Sequence, residues 1–348
     1  MSEYLHVEKT FLDQLADLGW TVIDQGAGVI PSDPSKSLRA SFRQCLLPEV
    51  FCAAVRAINT TDDGQAWLMD RQLDELRDQI LRQPNRTLLE ANEAIQALLF
   101  KAQVDSNELT GEQDPVVKLI DFANPANNQF HVINQFRIDT SGCVKQFIIL
   151  DIVLFVNGIP LVLVECKLGG PTCANPMHEA FMQLQRYRNE REATQEIGLK
   201  EGEPRLFHTN LLLIRSTGAE ADYGTLTSGE EHFYAWKTLW PESDEGLAQK
   251  NSQQRLIQGM LNKANLLRIL RTCAVFMDTD SGKRIKVVAR YQQFRAACKI
   301  IERLRAGASP MQRSGVVWHT QGSGKSLTMV FVARMLRASF DLIQILIK

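Results

Sequence analysis

Two kinds of feature are missing from this 348-residue sequence, and each absence excludes a class of protein. No apolar run reaches the roughly 18 residues needed to cross a bilayer, and the first ten residues, MSEYLHVEKT, are too polar for a signal peptide. The seven cysteines are odd in number and form no CxxC pair, which argues against a disulfide framework and a structural zinc site. We therefore expect a cytoplasmic protein without membrane association, whose thiols are reduced.

An excess of charge of one sign is also missing, since the net charge is −1 at pH 7. Any contact with DNA would therefore have to come from local basic patches. With 45% hydrophobic and 23% charged residues, the composition is that of an ordinary globular protein, and the length allows about two domains. We predict one domain over residues 1–255, with a β-rich core at about 115–215, and the beginning of a second over 256–348.

Hydrophobic periodicity separates predicted helices from predicted strands. Apolar residues recur at helical spacing over 7–18 and 46–58 and in pieces of 66–104, where Thr87 and Glu90 have the spacing of a capping box. Short β-rich runs follow from about residue 115, and strands with flanking helices predict a mixed α/β layer structure. The predicted strands are VVKLIDF, QFHVINQFRI, QFIILDIVLFV, PLVLVECKL and LFHTNLLLIRS; HEAFMQLQRYRNE is a predicted helix, and residues 218–250 are predicted as loops or a peripheral strand.

Three charged residues interrupt two of these apolar strands. Asp151 follows FIIL, Glu165 follows LVLV, and Lys167 shares a strand face with Glu165 because the two are two residues apart. Burying unpaired carboxylates is costly, so a metal or a partner should accompany these acids. Two carboxylates supply the hard oxygen ligands that Mg²⁺ needs for phosphodiester hydrolysis, and a lysine can orient or deprotonate the attacking water. The alternative is a surface ion pair where the strand emerges.

The turn between the two strands sets a geometric condition on this site. With Asn157-Gly158 as a two-residue turn, Asp151 and Glu165 would face opposite sides of the sheet. We therefore predict a three-residue loop over 156–158, with its glycine left-handed in a bulge, which pairs Ile149 with Glu165. A tight two-residue turn would exclude a shared metal site.

A glycine-rich turn lies between an apolar run and a helical pattern in GVVWHTQGSGKSLTMVFVARML. This order predicts a strand, a phosphate loop and a helix, with backbone amides around the phosphates, a lysine at the β- and γ-phosphates, and a serine hydroxyl on Mg²⁺. The alternative is a turn that binds no nucleotide. The residues predicted to bind ATP are Gly322, Ser323, Gly324, Lys325 and Ser326, of which Ser326 would hold the Mg²⁺ of ATP.

The stretch before this turn is locally basic. Its cations could contact DNA phosphates or form a solvated helix face, and the sequence favours neither. These residues are Lys283, Arg284, Lys286, Arg290, Arg295, Lys299, Arg303 and Arg305.

Longer segments around these motifs resemble a known family, the restriction (R) subunit of type I restriction-modification enzymes. They are NNQFHVINQF, LDIVLFVNGIPLVLVECK, QLQRY, KVVARYQQFRAA and VVWHTQGSGKSLTM, and the resemblance covers nearly the whole chain. It implies an α/β fold, with a mixed-sheet, RecB-like PD-(D/E)xK nuclease domain flanked by helices and then an incomplete RecA-like α/β motor domain. It further implies Mg²⁺-dependent cleavage of unmodified double-stranded DNA, coupled in the full-length subunit to ATP-driven translocation, with methyltransferase (M) and specificity (S) subunits as partners.

The resemblance also implies roles for individual residues. Asp151, Glu165 and Lys167 match the catalytic residues, and the two acids would bind Mg²⁺. Gln183 and Tyr187 match a QxxxY motif, Gln293 matches a glutamine associated with nucleotide binding, and Glu8 matches the helix glutamate of related nucleases.

The sequence departs from the family pattern in three ways. Leu150 stands where a proline is expected, and His319 stands at the first glycine of the phosphate loop. A Walker B motif, the second motor lobe and the region that docks on the methyltransferase are missing from these residues. We therefore expect an expression fragment or the product of a truncated reading frame, which keeps the nuclease but cannot translocate DNA. Two alternatives remain: a truncated chain that binds DNA or subunits without turnover, and a nuclease-helicase of another DNA defence or repair system.

Overall fold

The computed structural model describes residues 2–140, 142–171, 173–190 and 198–339. Within these residues the α-helices are α1 (Lys9–Asp17), α2 (Pro48–Ile58), α3 (Asp70–Leu81), α4 (Leu88–Leu98), α5 (Pro176–Tyr187), α6 (Ser252–Arg255), α7 (Lys263–Arg268), α8 (Tyr291–Ala306), α9 (Pro310–Arg313) and α10 (Lys325–Ser339). Three π-helical segments cover Tyr4–Glu8, Leu256–Met260 and Ile269–Cys273, and short 3₁₀ helices cover Pro34–Ser37, Pro125–Asn127, Pro204–Phe207, Glu230–His232 and Leu247–Gln249.

A six-stranded mixed sheet lies at the centre of the fold, in the order β1-β4-β5-β6-β7-β8. The β1–β4 and β6–β7 pairs are parallel and the other pairs are antiparallel, which confirms the predicted mixed sheet. Two small sheets, β2-β3 and β9-β10, lie outside it. The strands are β1 (Thr21–Ile23), β2 (Ala102–Gln103), β3 (Val116–Val117), β4 (Phe130–Asp139), β5 (Phe147–Val156), β6 (Ile159–Cys166), β7 (Leu212–Ser216), β8 (Ala221–Gly224), β9 (Ala274–Asp278) and β10 (Arg284–Val288).

The central strands are buried on both faces, as their nearly continuous apolar sequences predict. Every residue of β6 is buried. Alternate residues of this strand enter two apolar clusters: Val162 and Val164 join the larger one, while Leu163 joins the cluster that contains Leu184 and Tyr187 of α5. Helix α5 therefore covers the face of the sheet toward which Leu163 projects.

The β5–β6 turn differs from the predicted three-residue loop, which is wrong. Val156 pairs with Ile159, so the turn has two residues, Asn157 and Gly158, with φ of 49° and 75°. Two positive φ angles are the signature of the type I′ turn, whose twist matches that of the flanking strands.

A β-bulge in β6 restores the register that the predicted metal site requires. Phe155 pairs with Pro160 but Leu154 pairs with Val162, so one additional residue, Leu161, is inserted into β6. Pro160 has no N–H to give to the ladder, and a bulge is a place where a central strand tolerates this residue. Because one inserted residue exchanges the two faces of a strand, the bulge corrects the mismatch that a two-residue turn creates.

Gly158 is also fixed by a close contact with another element. Its carbonyl accepts the N–H of Leu47, the residue before α2, at 2.9 Å. A Cβ at this position would lie 2.6 Å from the carbonyl oxygen of Leu47 and 2.8 Å from the backbone nitrogen of Phe51. The hairpin tip therefore packs directly on the beginning of α2.

Most predicted helices are present, and one predicted strand is not. Thr87 caps α4 by accepting the N–H of Glu90, whose carboxylate accepts the N–H of Thr87 in return, which confirms the capping box. The predicted strand GVVWHT is wrong, because residues 314–320 have no strand conformation, and Val316 and Trp318 are 91% and 90% exposed. No described strand pairs with this segment, so its apolar side chains have no sheet to pack on. The apolar end of the chain, FDLIQILIK, for which the sequence predicts a further strand, lies outside the described residues.

Side chains from both sides of the predicted boundary at 255–256 pack together. The larger apolar cluster includes Leu12 of α1, Leu261, and Phe331 of α10. Trp20 donates to the carbonyl of Leu261 at 3.3 Å, and Gln96 of α4 donates to that of Ala274 at 3.0 Å. None of the helices among the described residues has the length and apolar character needed to span a membrane.

Candidate active site

Asp151, Glu165 and Lys167 lie together at the end of the β5–β6 hairpin. Ile152 pairs with Val164, so continuing the antiparallel register by one step sets Asp151 opposite Glu165. Both acids therefore share one face of the sheet, as predicted, although the residue opposite Glu165 is Asp151 and the predicted partner Ile149 is wrong. The Lys167 ammonium lies 2.6 Å from Glu165 Oε1 and 3.6 Å from Asp151 Oδ2.

Backbone and side-chain donors fix the two acids differently. Asp151 Oδ2 accepts the N–H of Cys166 at 2.7 Å, which ties β5 to the end of β6. Glu165 is 1% exposed, and its Oε1 accepts from Lys167. Glu165 Oε2 is buried and finds no hydrogen-bond partner among the described residues. An orphaned carboxylate oxygen in a buried site requires a cation or a proton.

Glu8 joins this site from the N-terminal segment, where the resemblance predicted it. Oxygens of Glu3, Glu8 and Asp151 all lie within 4.8 Å of one another. Gln135 donates to both oxygens of Glu8, at 3.1 Å and 2.9 Å, and so orients that carboxylate. The sequence motifs do not include Glu3 or Gln135, because neither belongs to a pattern with catalytic spacing.

The backbone of β4 is distorted beside Asp151. Asn134 pairs with Ile152 and Phe136 with Leu150, so Gln135 lies opposite Asp151, but it is omitted from the ladder. Its φ of 47° lies in the left-handed region, which a residue with a Cβ rarely adopts. Such strain persists where the surrounding structure holds the backbone in place. Here the strained residue is Gln135, whose side-chain amide binds Glu8.

Gln183 and Tyr187 share a face of α5, as their spacing predicts, and Tyr187 hydrogen-bonds to the backbone of β5. Gln183 Nε2 lies 2.8 Å from the Tyr187 hydroxyl, which donates to the carbonyl of Ile149 at 2.6 Å. Since Ile149 is two residues from Asp151, the pair fixes α5 against β5 next to the acids. Among the described contacts, neither side chain reaches a carboxylate of the site.

Burial is the largest cause that raises the pKa values of Glu8, Asp151 and Glu165. Burial and the neighbouring Asp151 charge raise the pKa of Glu8 to about 7, while burial raises the pKa of Asp151 against the opposing charge of Lys167. Burial, followed by the Asp151 charge, raises the pKa of Glu165 well above its usual range. Burial opposes the charge of Lys167, but the charges of Glu165 and Asp151 outweigh it and raise the pKa of the lysine. Lys167 is therefore held as a cation.

The raised pKa of Glu8 contributes stability to the metal-free protein at low pH, and this contribution is lost as pH rises. Between its ordinary value of 4.5 and about 7, the folded protein holds a proton that the unfolded chain has released. The contribution of Glu8 to the free energy of unfolding therefore falls through this window and levels off above it. We expect Glu8→Gln to reduce this fall, and urea unfolding in EDTA at pH 5 and pH 8 measures it. The exposed Glu242→Gln variant is the control, and an unchanged slope in Glu8→Gln would contradict the assignment.

The donor set of the site fits a hard divalent cation such as Mg²⁺. Four acids of the site, Glu3, Glu8, Asp151 and Glu165, offer carboxylate oxygens, which are the ligands that Mg²⁺ prefers. One of these oxygens, Glu165 Oε2, accepts no hydrogen bond from the described residues. The Cys166 side chain is fully buried, and burial raises the pKa of its thiol well above the usual range. Cys166 therefore offers no thiolate ligand to a cation. The residues that could hold the cation are Glu3, Glu8, Asp151 and Glu165.

The second predicted site, the glycine-rich turn, precedes α10. Gly322 and Gly324 have φ of 77° and 76°, which glycine adopts without strain. Gln293 of α8 donates to the carbonyls of Ser323 and Gly324 at 3.1 Å and 3.2 Å, so it contacts the turn itself. These four residues line one cleft of 470 Å³, which also contains Arg290.

Lys325 and Ser326 are not brought into this cleft. Lys325 Nζ donates to the carbonyl of His319 at 3.0 Å and closes the turn on itself. Lys325 and Ser326 each line a different cavity, the former with His319 and the latter with Val330. The predicted helix after the turn is confirmed, since α10 begins at Lys325, but the side chains are not gathered around one phosphate position.

Other residues of the same chain contact much of the basic stretch before the glycine-rich turn. Lys286 is buried and donates to Asn92 Oδ1 at 2.9 Å, and Arg284 bonds to Glu93. Three further arginines contact other residues of the chain. Arg290 donates to the Tyr234 hydroxyl, Arg295 forms an ion pair with Asp244, and Arg303 donates to the Ser314 carbonyl. At least five of the eight cations therefore contact other residues of the chain, whereas the sequence predicted either contacts with DNA phosphates or a solvated helix face.

Comparison with known families identifies two matching regions. The family described as "Type I restriction enzyme R protein N terminus" matches residues 1–232. A second, described as "SWI2/SNF2 ATPase", matches residues 292–347, the region that contains α8, the glycine-rich turn and α10.

Individual relatives cover nearly the whole chain. It is 29% identical over 97% of its length to the type I restriction enzyme HindI endonuclease subunit of Haemophilus influenzae, of which it covers 30%. It is 26% identical over 96% of its length to a putative type I restriction enzyme MjaIXP endonuclease subunit of Methanocaldococcus jannaschii, of which it covers 31%. A Staphylococcus aureus relative, the SauMSSORF170P endonuclease subunit, is 27% identical over 66% of the chain, which covers 22% of it. The chain thus spans less than a third of the length of these curated relatives.

Proposed function

The chain belongs to the family of type I restriction enzyme R protein N-terminal regions, and from this premise we propose that it is the Mg²⁺-dependent nuclease part of such an R subunit. The proposed substrate is unmodified double-stranded DNA. One observation carries the proposal: Asp151 and Glu165 lie opposite each other in a buried sheet with Lys167 between them, and one Glu165 oxygen lacks a partner among the described residues.

Each residue of the site has a separate task in the proposed mechanism. Asp151, Glu165 and Glu8 would hold Mg²⁺, which when bound supplies a Lewis acid and lowers the pKa of a bound water. The Cys166 N–H and the amide of Gln135 orient the carboxylates of Asp151 and Glu8. Residues that are positioned before substrate arrives avoid the cost of reorganisation during the reaction.

Lys167 acts as a cation in this mechanism. Its pKa is raised by Glu165 and Asp151, so it donates hydrogen bonds and does not accept the proton of the attacking water. A positioned ammonium group orients that water and offsets the negative charge that develops on the phosphate. The charge-offsetting role is therefore preferred to that of a general base.

The proposal is tested by incubating the chain with supercoiled plasmid. We expect conversion to open-circular or linear DNA in Mg²⁺ and none in EDTA. Cleavage that persists in EDTA would contradict a metal-dependent site. An intact, folded chain that cleaves in neither Mg²⁺ nor Mn²⁺ would favour the alternative of a non-catalytic fragment that binds DNA or subunits.

We further propose that residues 256–348 begin a RecA-like motor domain and that its glycine-rich turn binds ATP with Mg²⁺. The match of residues 292–347 to SWI2/SNF2 ATPases and the helix that begins at Lys325 support this. In the whole subunit, ATP-driven translocation would precede cleavage, and M and S subunits would be the partners.

Replacing Lys325 by alanine tests the nucleotide site separately from the nuclease. We expect binding of a fluorescent ATP analogue to weaken by at least about tenfold, because the lysine supplies the charge for the β- and γ-phosphates. Plasmid cleavage by this fragment should be unchanged. Equal nucleotide affinity in wild-type and Lys325→Ala chains would contradict the assignment of the turn.

A further inference from the structure

A group of arginines lies outside both proposed sites. Arg268 ends α7, Arg271 belongs to the π-helical segment Ile269–Cys273, and both line a cleft of 450 Å³. Arg305 of α8 lines the same cleft, and Glu302 is the single acid among its described lining residues. The cleft is therefore a local region of positive charge, although the net charge of the chain is −1.

Helix α10 adds two more arginines beside this cleft. Arg334 donates to the carbonyls of Arg271 and Thr272, at 3.0 Å and 3.2 Å, and so joins α10 to the π-helical segment. These carbonyls satisfy hydrogen bonds of the guanidinium group but do not neutralise its charge. Burial lowers the pKa of Arg334, and the neighbouring charge of Arg337 lowers it further. Four residues from two distant parts of the sequence thus form one arginine cluster: Arg268, Arg271, Arg334 and Arg337.

No carboxylate pairs with the arginine cluster within the part of the chain that the structure describes, since none of the ion pairs there includes its members. Arg268 instead donates to the Cys298 sulfur at 3.5 Å, and sulfur is a weak acceptor. The Arg271 guanidinium lies 5.8 Å from the centre of the Phe122 ring. Because a guanidinium group binds phosphate oxygens through two parallel hydrogen bonds, uncompensated arginines favour a ligand that carries phosphate.

Solvent reaches the arginine cluster, in contrast to part of the basic stretch before the glycine-rich turn. Lys286 of that stretch is buried and donates to Asn92. In the arginine cluster, Arg268 and Arg337 are exposed, and the other two members are half-buried. A dissolved polyanion can therefore contact the cluster without any rearrangement of the fold.

The cleft lies toward the tip of the β5–β6 hairpin, away from the acids. Phe122 lines the cleft, and the chain just before it is held at the tip, where Asn157 donates to the carbonyl of Leu119 at 2.9 Å. Asp151 precedes Val156, the last residue of β5, by five residues, or about 17 Å at roughly 3.3 Å per residue. The arginine cluster is therefore separate from the proposed nuclease site.

We propose that the arginine cluster binds the phosphate backbone of double-stranded DNA at a surface separate from the nuclease site. The choice of DNA as the ligand rests on the proposed nuclease function. Arginines spread over α7, the π-helical segment and α10 suit a row of phosphates better than a single one, and duplex DNA carries one negative charge per about 1.7 Å of its axis. Such contacts hold and orient a duplex without reading its sequence. The cluster thus retains the substrate while the acids act on it.

The experiment measures binding of the whole chain to a fluorescein-labelled duplex about three helical turns long, by fluorescence anisotropy in EDTA over a series of salt concentrations. The test variant carries Arg268→Gln and Arg271→Gln. The control carries Arg43→Gln and Arg86→Gln, which remove the same charge from two exposed arginines elsewhere. We expect the test variant to bind at least about tenfold more weakly at physiological salt and the slope of log affinity against log salt to fall by about 1.8, since each phosphate contact contributes about 0.9. The control should match the wild type.

Thermal unfolding verifies that each variant is folded, and the single variant Arg337→Gln, at an exposed position, gives a second test with an expected loss of about 0.9 in slope. A wild-type chain that does not bind the duplex, or test and control variants of equal affinity, would overturn the proposal. A test variant that keeps its affinity for DNA but binds a fluorescent ATP analogue more weakly would also overturn it, because the cleft would then hold a nucleotide. Failure of the nuclease function gives a different result: DNA binding that depends on the arginines, with plasmid DNA left intact in Mg²⁺.

Discussion

Replacing Lys167 by alanine should lower the rate of Mg²⁺-dependent plasmid cleavage by about 10²–10³-fold, the usual effect of removing one positioned donor from the charge that develops in a transition state. Lys167 is the single cation within 4 Å of Asp151 and Glu165 among the described residues. Its loss removes the group that offsets charge on the phosphate, while the two carboxylates remain. The measurement is the initial rate of supercoiled-plasmid nicking at saturating Mg²⁺.

The control for this prediction is Lys237→Ala, which removes an exposed lysine outside the acid site and outside the basic stretch before the glycine-rich turn. We expect the control to cleave at the wild-type rate. Lys167→Ala removes a neutralising charge from a buried acid cluster, so its fold must be verified by thermal unfolding before the rates are compared. A folded Lys167→Ala chain that cleaves within threefold of the wild-type rate would contradict the role given to the lysine.

Gly158→Ala should lower the free energy of unfolding by about 2–5 kcal/mol, because it combines two separate costs. A side chain at φ 75° carries about 1–2 kcal/mol of strain. Its Cβ would also lie 2.6 Å from the Leu47 carbonyl oxygen and 2.8 Å from the Phe51 nitrogen, and overpacking of this kind typically costs about 1–3 kcal/mol. Backbone atoms cannot rotate away, so the hairpin and α2 must separate.

Gly111→Ala is a matched control for the backbone strain alone. Gly111 has φ of 67°, and a Cβ there would meet nothing within 4 Å. We expect this variant to lose about 1–2 kcal/mol, the cost of the left-handed conformation. Urea unfolding of the three proteins gives both values, and equal losses in the two variants would refute the steric contact with α2.

The sequence predicts that Asp151, Glu165 and Lys167 lie together, but not the register that brings them there. Apolar runs around Asp151 and Glu165 predict buried strands, and the requirement that both acids share a face is met. The predicted three-residue loop was wrong because the prediction assumed that the turn alone sets the register of the two strands. Asn157-Gly158 forms the type I′ turn that its sequence favours, and the bulge at Pro160 and Leu161 supplies the correction farther along the strand. Pro160 was the available signal, since proline in a central strand marks a bulge.

Other features depend on long-range contacts that spacing cannot reveal. Glu3 reaches the site only through the π-helical turn that follows it, and no periodicity predicts that turn. Gln135 has a left-handed φ beside Asp151, where its sequence resembles that of an ordinary strand. The apolar run before the glycine-rich turn predicted a strand, but strand formation needs a neighbouring strand, and none of the described strands lies beside it.

The central claim, that the β5–β6 hairpin carries a metal-dependent nuclease site, is tested most directly with Asp151→Asn. Asparagine keeps the size of the side chain and an oxygen to accept the Cys166 N–H, but removes the charge that a cation requires. The measurement is plasmid nicking in Mg²⁺ by wild type, Asp151→Asn and the exposed control Asp62→Asn. We predict that wild type and control nick at equal rates and that folded Asp151→Asn does not exceed the EDTA background. Nicking by Asp151→Asn at the wild-type rate would contradict the claim.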